Sequence, residues 1–250
     1  MTNKQKTANS RQQTILLGLT TTPGSDWEEK IREIDELGIE EVALFPTYLE
    51  YKDRQHLYEQ LENSRIQSIP HVHLREEDMG KNEIDYLIKR FHAKLFNLHP
   101  NIISPVMTDT LLEHKEILFL ENLNNLTSLE KIEANIEKVG GLCIDYSHWQ
   151  DRILLANDKA YDALMKELIK NNKIGCCHIS AIYDKPKVME WTVEREPHYS
   201  GHHMDKLSNL DYMKNYVNYL PDIISLELEN SFEEQLEAKE YVSQLLTAGS

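Results

Sequence analysis

Along this chain, acidic and imidazole side chains fall again and again at the ends of short apolar runs. His71 or His73 closes QSIPHVH, His99 closes KLFNLH, Glu121 closes ILFLE and Asp145 closes GLCID. His178 lies near the end of IGCCHI, and a further run, IISLEL, carries Glu227 and is followed by Glu229. Charged groups at the ends of apolar segments cost free energy unless something there pairs with them. Taken singly, each reads as a hydrogen-bonded core histidine or a rim carboxylate. Repeated on the same end of successive runs, they read as a set of ligands. Mixed imidazole and carboxylate donors suit Zn, Mn, Fe or Co, with Mg less suited where imidazole dominates.

The elements that must position these residues alternate from end to end. Strand-like runs occupy residues 15–20, 41–45, 67–73, 94–99, 117–121, 141–145, 174–179 and 223–228. Helical spacing is expected at 27–37, 54–63, 82–92, 128–139, 159–170, 209–219 and 232–246. In the first of these, Trp27, Ile31, Ile34 and Leu37 share a face, Ser25 and Asp26 offer a cap, and Gly38 is a stop. Strands alternating with helices imply parallel βαβ units. Eight such units in a chain of 250 residues predict an α/β fold, a (β/α)₈ barrel in a single domain over residues 14–250, after a polar tail at 1–13. In a barrel the strand ends converge, so ligands distant in sequence meet around one axis. Residues 180–203 form the one long irregular segment, on the side where a barrel keeps its active site.

Bulk properties narrow the function classes. The formal charge is −15, from 27 basic and 42 acidic residues, which works against a polyanionic nucleic-acid partner. No run is long and apolar enough for a membrane helix, and the polar N-terminus has no signal-like apolar stretch. The three cysteines, Cys143, Cys176 and Cys177, sit inside apolar runs with no CxxC spacing, as buried free thiols of a reducing compartment do. The expectation is a cytoplasmic protein with a small polar substrate, a carbohydrate, and no membrane or nucleic-acid partner; an oligomer is compatible with the sequence. Trp149 and Trp191 are candidates to wall a substrate pocket, although core packing suits either equally. Arg75 and Lys185 flank strand ends where a phosphate could be met. His56, His92 and His114 fall on expected helix surfaces.

Glu121 in FLENLNN, Asp145 and His148 in CIDYSHW, His178 in CCHIS and Glu227 in SLELEN together resemble the xylose isomerase-like barrel superfamily. The resemblance runs from about residue 15 to the C-terminus, and its most specific part is Asp-x-x-His after the sixth strand. In the sugar isomerase and epimerase branch, it implies one metal held by Glu121, Asp145, His178 and Glu227, with Glu229 as the rival of Glu227. Asn124 matches a substrate-side Asn and His148 a substrate-contacting His of that branch. The zinc-dependent abasic-site endonuclease branch implies further ligands at His99, at His73 (with His71 as the alternative, or as a substrate contact) and at His202. One departure is Ser200, where that branch carries an Asp two residues before the loop His.

Two chemistries follow from the resemblance. The first, favoured narrowly because its four ligands are complete, is a divalent-metal-dependent sugar or sugar-phosphate isomerase or epimerase. There Glu121 and Glu227 exchange a proton next to a carbonyl, with His148 as shuttle. The second is a zinc-dependent phosphodiester hydrolase, for which His73, His99 and His202 build additional metal positions. A third possibility is a barrel that binds without catalysing. The count of metal ions separates the first two, one ion for the isomerase and two or three for the hydrolase.

Overall fold

The computed structural model describes residues 13–100, 105–188 and 196–248. Nearly all of the expected tail at 1–13, and Trp191, lie outside the described residues. The elements run β1 (Thr14–Thr20), α1 (Trp27–Leu37), β2 (Glu41–Phe45), α2 (Tyr51–Glu62), β3 (Ser68–His73), α3 (Lys81–Phe91), β4 (Leu95–Leu98), α4 (Pro105–His114), β5 (Leu118–Glu121) and α5 (Leu126–Asn135). They continue as β6 (Gly141–Asp145), α6 (Tyr146–Ala156), α7 (Lys159–Asn171), β7 (Ile174–Ile179), β8 (Ala181–Val188), β9 (Pro197–Gly201), β10 (Ile223–Leu226) and α8 (Phe232–Ala248). Eight parallel strands close a barrel in the order β1-β10-β7-β6-β5-β4-β3-β2. The remaining strands, β8 and β9, pair antiparallel as a separate ribbon between the seventh and eighth barrel strands. The α/β barrel expected from the sequence is the observed fold.

The strands are apolar on both faces because both faces are covered. In β2, Val42 and Leu44 join the large core beneath the helices, while Ala43 and Phe45 turn into the barrel. In β5, Leu118 and Leu120 face the helices, and Phe119 and Glu121 lie on the other face. Each Leu or Ile fully removed from water in the outer layer contributes about 1.5–3 kcal/mol. Two bulges adjust this alternation. Between Glu41↔Ser68 and Ala43↔His71, β3 spends one residue more than β2, at the segment holding Pro70, a tolerated place for a strand proline. Between Leu142↔Ile174 and Cys143↔Cys176, β7 likewise spends one residue more than β6, at Gly175. A Cβ on Gly175 would sit 2.2 Å from the Phe119 ring, so only glycine lets Phe119 fill the barrel there.

Helix ends are set by local chemistry. The Asp26 side chain accepts from Glu29 N and Gly38 closes α1 in the left-handed region, as the sequence predicts. Expectation and structure part at three helices, one being α4, for which no helical range was expected. Residues 209–219 form tight 3-10 turns instead of an α-helix. Asn209 there is pulled to Ile182 O and caps Asp205 N and Lys206 N, and Tyr212 OH donates to Ser180 O, so tertiary bonds dictate the winding. An additional helix, α6, begins directly after Asp145, where none was expected before residue 159.

A buried charge cluster fastens the lower-numbered half of the rim. Arg54, fully buried on α2, donates from Nε and Nη2 to Glu83 at 2.7 and 2.9 Å and from Nη1 to Asp78 at 3.0 Å. The same Nη1 donates to Leu49 O, and Tyr58 OH donates to Glu83. The loop after β2 and the loop after β3 are thereby tied to one guanidinium. On the seam where β1 meets β10, Gln235 of α8 accepts from Gly18 N and donates to Gly18 O, Leu228 O and Asn230 O.

Candidate metal centre

The C-terminal ends of six barrel strands bring imidazoles and carboxylates to one place. The bulge in β3 puts His71 and His73 two residues apart on the inner face, with His73 the nearer to the rim. Its Nε2 lies 2.9 Å from Glu121 Oε2 at the end of β5. Asp145 ends β6 and caps α6: its Oδ1 accepts from His148 N at 2.8 Å and from Ser147 Oγ at 2.6 Å. That cap leaves Oδ2 turned inward, 3.6 Å from His148 Nε2. From β7, His178 Nδ1 stands 3.4 Å from Glu227 Oε2 and 3.6 Å from Glu121 Oε2. Glu227 follows β10, and its other oxygen is 3.9 Å from His202 Nε2 on the segment after β9.

Two sets of donors emerge, each with one atom per residue within 4.8 Å of the others: His73, His99 and Glu121, and Glu121, Asp145 and His178. Glu121 belongs to both. Three observations fit these residues to divalent cations. Asp145 Oδ2 and His178 Nδ1 are buried without a hydrogen-bond partner. Buried polar atoms are otherwise satisfied in more than nine cases in ten. Second, among the described residues, the ion pairs of Glu121, Asp145 and Glu227 are all with histidines, none with Lys or Arg. Third, the donor mix of imidazole and carboxylate oxygen is one that first-row divalent ions accept.

The field inside is correspondingly polarised. Burial works to raise the Glu121 carboxyl, but the rings of His178 and His73 hold it well below the usual carboxylate range. Burial likewise opposes ionisation of Glu227, and His202 and His178 bring it down to about 2. Desolvation opposes charge on His178, which Glu121 and Glu227 nevertheless drive well above the usual imidazole value. The His99 ring, disfavoured as a cation by burial, is pushed up to about 9 by its 3.2 Å hydrogen bond to Glu76 and by the charges of Glu121, Glu76 and Glu227. Glu121 and Glu227 are thus held ionised, and His99 and His178 would release a proton on binding a cation.

Above the donors lies a cavity of about 210 Å³ lined by Thr20, Thr22, Phe45, Thr47, Tyr48, His73, His99, Glu121, His148, His202 and Glu227. A wider cleft of about 430 Å³ shares Thr22 and His202 with it and extends along Asp26, Lys30, Tyr183 and Glu229. Of the residues singled out as ligands, His73, His99, Glu121, Asp145, His178, His202 and Glu227 all gather here. The rivals are used otherwise. Glu229 binds Lys30 at 2.9 Å and accepts from Thr22, and His71 is sealed with its ring between Ser225 Oγ at 2.7 Å and Asn97 Oδ1 at 3.0 Å.

The four residues expected to meet substrate lie off these two cavities. His71 is buried below them. Trp149 follows His148 on α6, about 100° further round the helix, and so turns into the core. It packs on Tyr146 and Tyr216 and donates to Asp162. Asn124 donates to Asp151 and adjoins His198, which makes it a fastener of the ribbon. Lys185 is exposed on β8. Arg75 points to Leu49 O and to Glu77 and Asp78.

Four supporting residues escaped the sequence reading. Asn97 donates to Glu121 and accepts a contact from His71; it lies two residues before His99, a spacing of one strand face that could have flagged it. Glu76 orients His99. Fully buried Asp151 accepts from Tyr199 N, Ser200 N and Asn124 and lies 3.1 Å from His198, pinning β9 and so the segment that carries His202. Asn122 bridges β5 to β6 through Asp145 N and O. Asp151 and Glu76 had no legible signal, because both act across long sequence separations.

No family model matches the chain, and no curated protein matches it in sequence. Among solved structures it is similar to a xylose isomerase-like TIM barrel protein from Mycobacterium smegmatis in complex with magnesium, at 13% identity over 94% of this chain and 97% of that one, with a TM-score of 0.49. It is similar, with the same identity and TM-score, to the probable 3-DHS dehydratase AsbF of petrobactin synthesis from Bacillus anthracis, over 93% of this chain and 98% of that one. A xylose isomerase domain protein from Planctomyces limnophilus matches at 12% identity over 94% and 96% of the two chains, with a TM-score of 0.43.

Proposed function

We propose that this barrel is a hydrolase of small phosphate esters or phosphodiesters that works with two divalent cations joined by Glu121. The observation that carries the reading is the sharing of Glu121 between two donor sets, His73 and His178 both facing its Oε2. A single-ion isomerase has no use for the set containing His73 and His99. When bound, such a pair of cations would make water more acidic and take up charge from a phosphoryl group. His73 and His99 would hold one ion, Asp145 and His178 the other, and Glu227 would complete the second set.

The chain's own groups supply the rest. His148 edges the cavity, placed to give a proton to a leaving oxygen. The hydroxyls of Thr20, Thr22, Thr47 and Tyr48 line the wall and can hydrogen-bond a polar substrate, while Phe45 forms an apolar side that keeps water out. The small cavity and the charge of −15 favour a compact substrate over a nucleic-acid duplex.

A second reading, the sugar isomerase or epimerase, is favoured by one observation: Glu121 and Glu227 approach the same nitrogen of His178 from different strands, as two proton-exchanging carboxylates would. Electron paramagnetic resonance of the Mn²⁺-loaded protein distinguishes the two. The hydrolase reading expects an exchange-coupled spectrum from paired ions, reduced to an isolated-ion spectrum in His99→Ala, with cleavage of bis(p-nitrophenyl) phosphate. An isolated-ion spectrum in the wild type, together with solvent-deuterium uptake into a ketose, would replace it by the isomerase.

A further inference from the structure

One layer below the carboxylates, the barrel interior holds a second group of donors that the proposed hydrolysis leaves unused. Cys143 on β6 and Cys176 on β7 are register partners, both fully buried, and they pack with Phe119 inside the barrel. Neighbours in register on adjacent strands, the two cysteines share the inner face of the barrel. One donor atom from each of His71, Cys143 and His178 lies within 4.8 Å of the others. The remaining cysteine, Cys177, faces the helix layer and takes no part.

His178 connects the two layers. Its Nδ1 is directed at Glu121 and Glu227, which leaves Nε2, a fully buried nitrogen with no hydrogen-bond partner. An unsatisfied imidazole nitrogen beside two thiols in an apolar interior is costly as it stands. A cation would satisfy it.

We propose that Cys143, Cys176, His71 and His178 Nε2 form a second cation site in the barrel core, selective for a thiophilic divalent ion of the Zn²⁺ type. Two sulfurs and two imidazoles are a donor set of structural zinc, and thiolates discriminate against Mg²⁺ and Mn²⁺. A tetrahedral ion with bonds of about 2.0–2.3 Å sets its donors about 3.5 Å apart, so His71, Cys143 and His178 draw inward modestly on binding, while Cys176, outside that trio, turns its thiol toward them. His71 releases one of its two ring hydrogen bonds, to Ser225 or to Asn97, the two thiols release their protons, and His178 would also give up its ring proton whenever the upper centre is occupied as well. None of the four residues touches solvent appreciably, so the ion is captured as the barrel closes during folding. Occupancy stiffens the layer from which Glu121 and His178 rise. The site shares only the His178 ring with the centre above it and stands whether or not that centre is hydrolytic.

X-ray absorption at the zinc edge tests the assignment on whole protein refolded with excess Zn²⁺. A sulfur shell at about 2.3 Å is expected, lost in Cys143→Ala, retained in Cys177→Ala, and retained in Glu227→Gln, which disturbs only the upper centre. Nitrogen and oxygen neighbours alone at saturating zinc, or a sulfur shell indifferent to Cys143→Ala, would overturn it. Should Cys143→Ala not fold, the wild type loaded with Co²⁺ decides: intense thiolate-to-cobalt charge-transfer absorption supports the site, and weak ligand-field bands alone remove it. A failure of the hydrolase reading appears separately, in the manganese spectrum.

Discussion

Replacing Arg54 by Met should cost more stability than any exposed ion pair in the molecule, and the structure says how much. Arg54 is fully buried and makes two short bonds to Glu83, at 2.7 and 2.9 Å, and one to Asp78 at 3.0 Å. Methionine fills much of the alkyl volume, so the loss is mainly electrostatic. It leaves Glu83, whose side chain is 5% exposed, as a buried anion with only Tyr58 OH for a partner. Breaking one side of such a pair costs about 3–5 kcal/mol. For a domain of this length that converts to a melting temperature lower by roughly 6–20 °C. The double variant Arg54→Met, Glu83→Met removes the stranded charge as well and should recover most of the loss, since buried pairs often exchange for apolar groups at little net cost. Differential scanning calorimetry of the four proteins of the cycle measures both numbers. A single variant within about 1 kcal/mol of wild type, or a double variant as unstable as the single, would refute the view that Arg54 neutralises a buried carboxylate. Because Arg54 also holds Leu49 O, beside the cavity residues Thr47 and Tyr48, the single variant should weaken substrate binding as well.

Asn97→Ala removes the donor to Glu121, and Mn²⁺ affinity by calorimetric titration should fall about 10–100-fold, as is usual for the supporting partners of metal ligands; an unchanged affinity would mean Glu121 needs no such support. Gly175→Ala forces a Cβ to within 2.2 Å of the Phe119 ring and should lower stability by about 1–3 kcal/mol in denaturant melts, with partial recovery on adding Phe119→Leu. Burial would raise Glu229, but the Lys30 ammonium and the hydrogen bonds from Lys30 and Thr22 lower it below its ordinary 4.5. A depressed folded value means that its contribution is full above pH 4.5 and fades as pH drops through the folded value. The destabilisation of Lys30→Met should therefore be largest near neutrality and shrink in acid, and a constant difference across urea melts at several pH values would contradict it.

The barrel was legible because each strand is short, apolar and bounded by polar turns, and because Asp26 and Gly38 mark α1 with ordinary capping chemistry. The rim ligands were legible for the related reason that a carboxylate such as Glu121 cannot end an apolar strand without a partner. The choice between adjacent candidates was not. It depends on the bulge in β3, after which both histidines face inward, on Ser225 and Asn97, which seal His71, and on Lys30, which takes Glu229. Neither a bulge nor a partner on another element leaves a local trace in sequence. The same holds for Trp149, whose place follows from α6 starting at once after the Asp145 cap. Residues 209–219 carry a helical pattern, but Asn209 and Tyr212 bond to β8 and its approach, and these longer-range bonds override it.

The Gln235 seam has a consequence for the order in which the chain can fold. Strand β1 finds β2 early, from nearby residues, but its other edge pairs with β10, which is made long after it. Until then the backbone of Thr14, Ile15 and Leu16 is an open template, the kind of edge to which a second unfinished chain can add a strand. Gly18 N is not covered even by β10; it waits for the side chain of Gln235, later still. While the chain is being made, the sheet therefore carries one raw edge, and α8 acts as its latch. During synthesis the hazard for this protein is concentrated in the interval between the first strand and that latch, where a chaperone that shields strand edges would have the most to do.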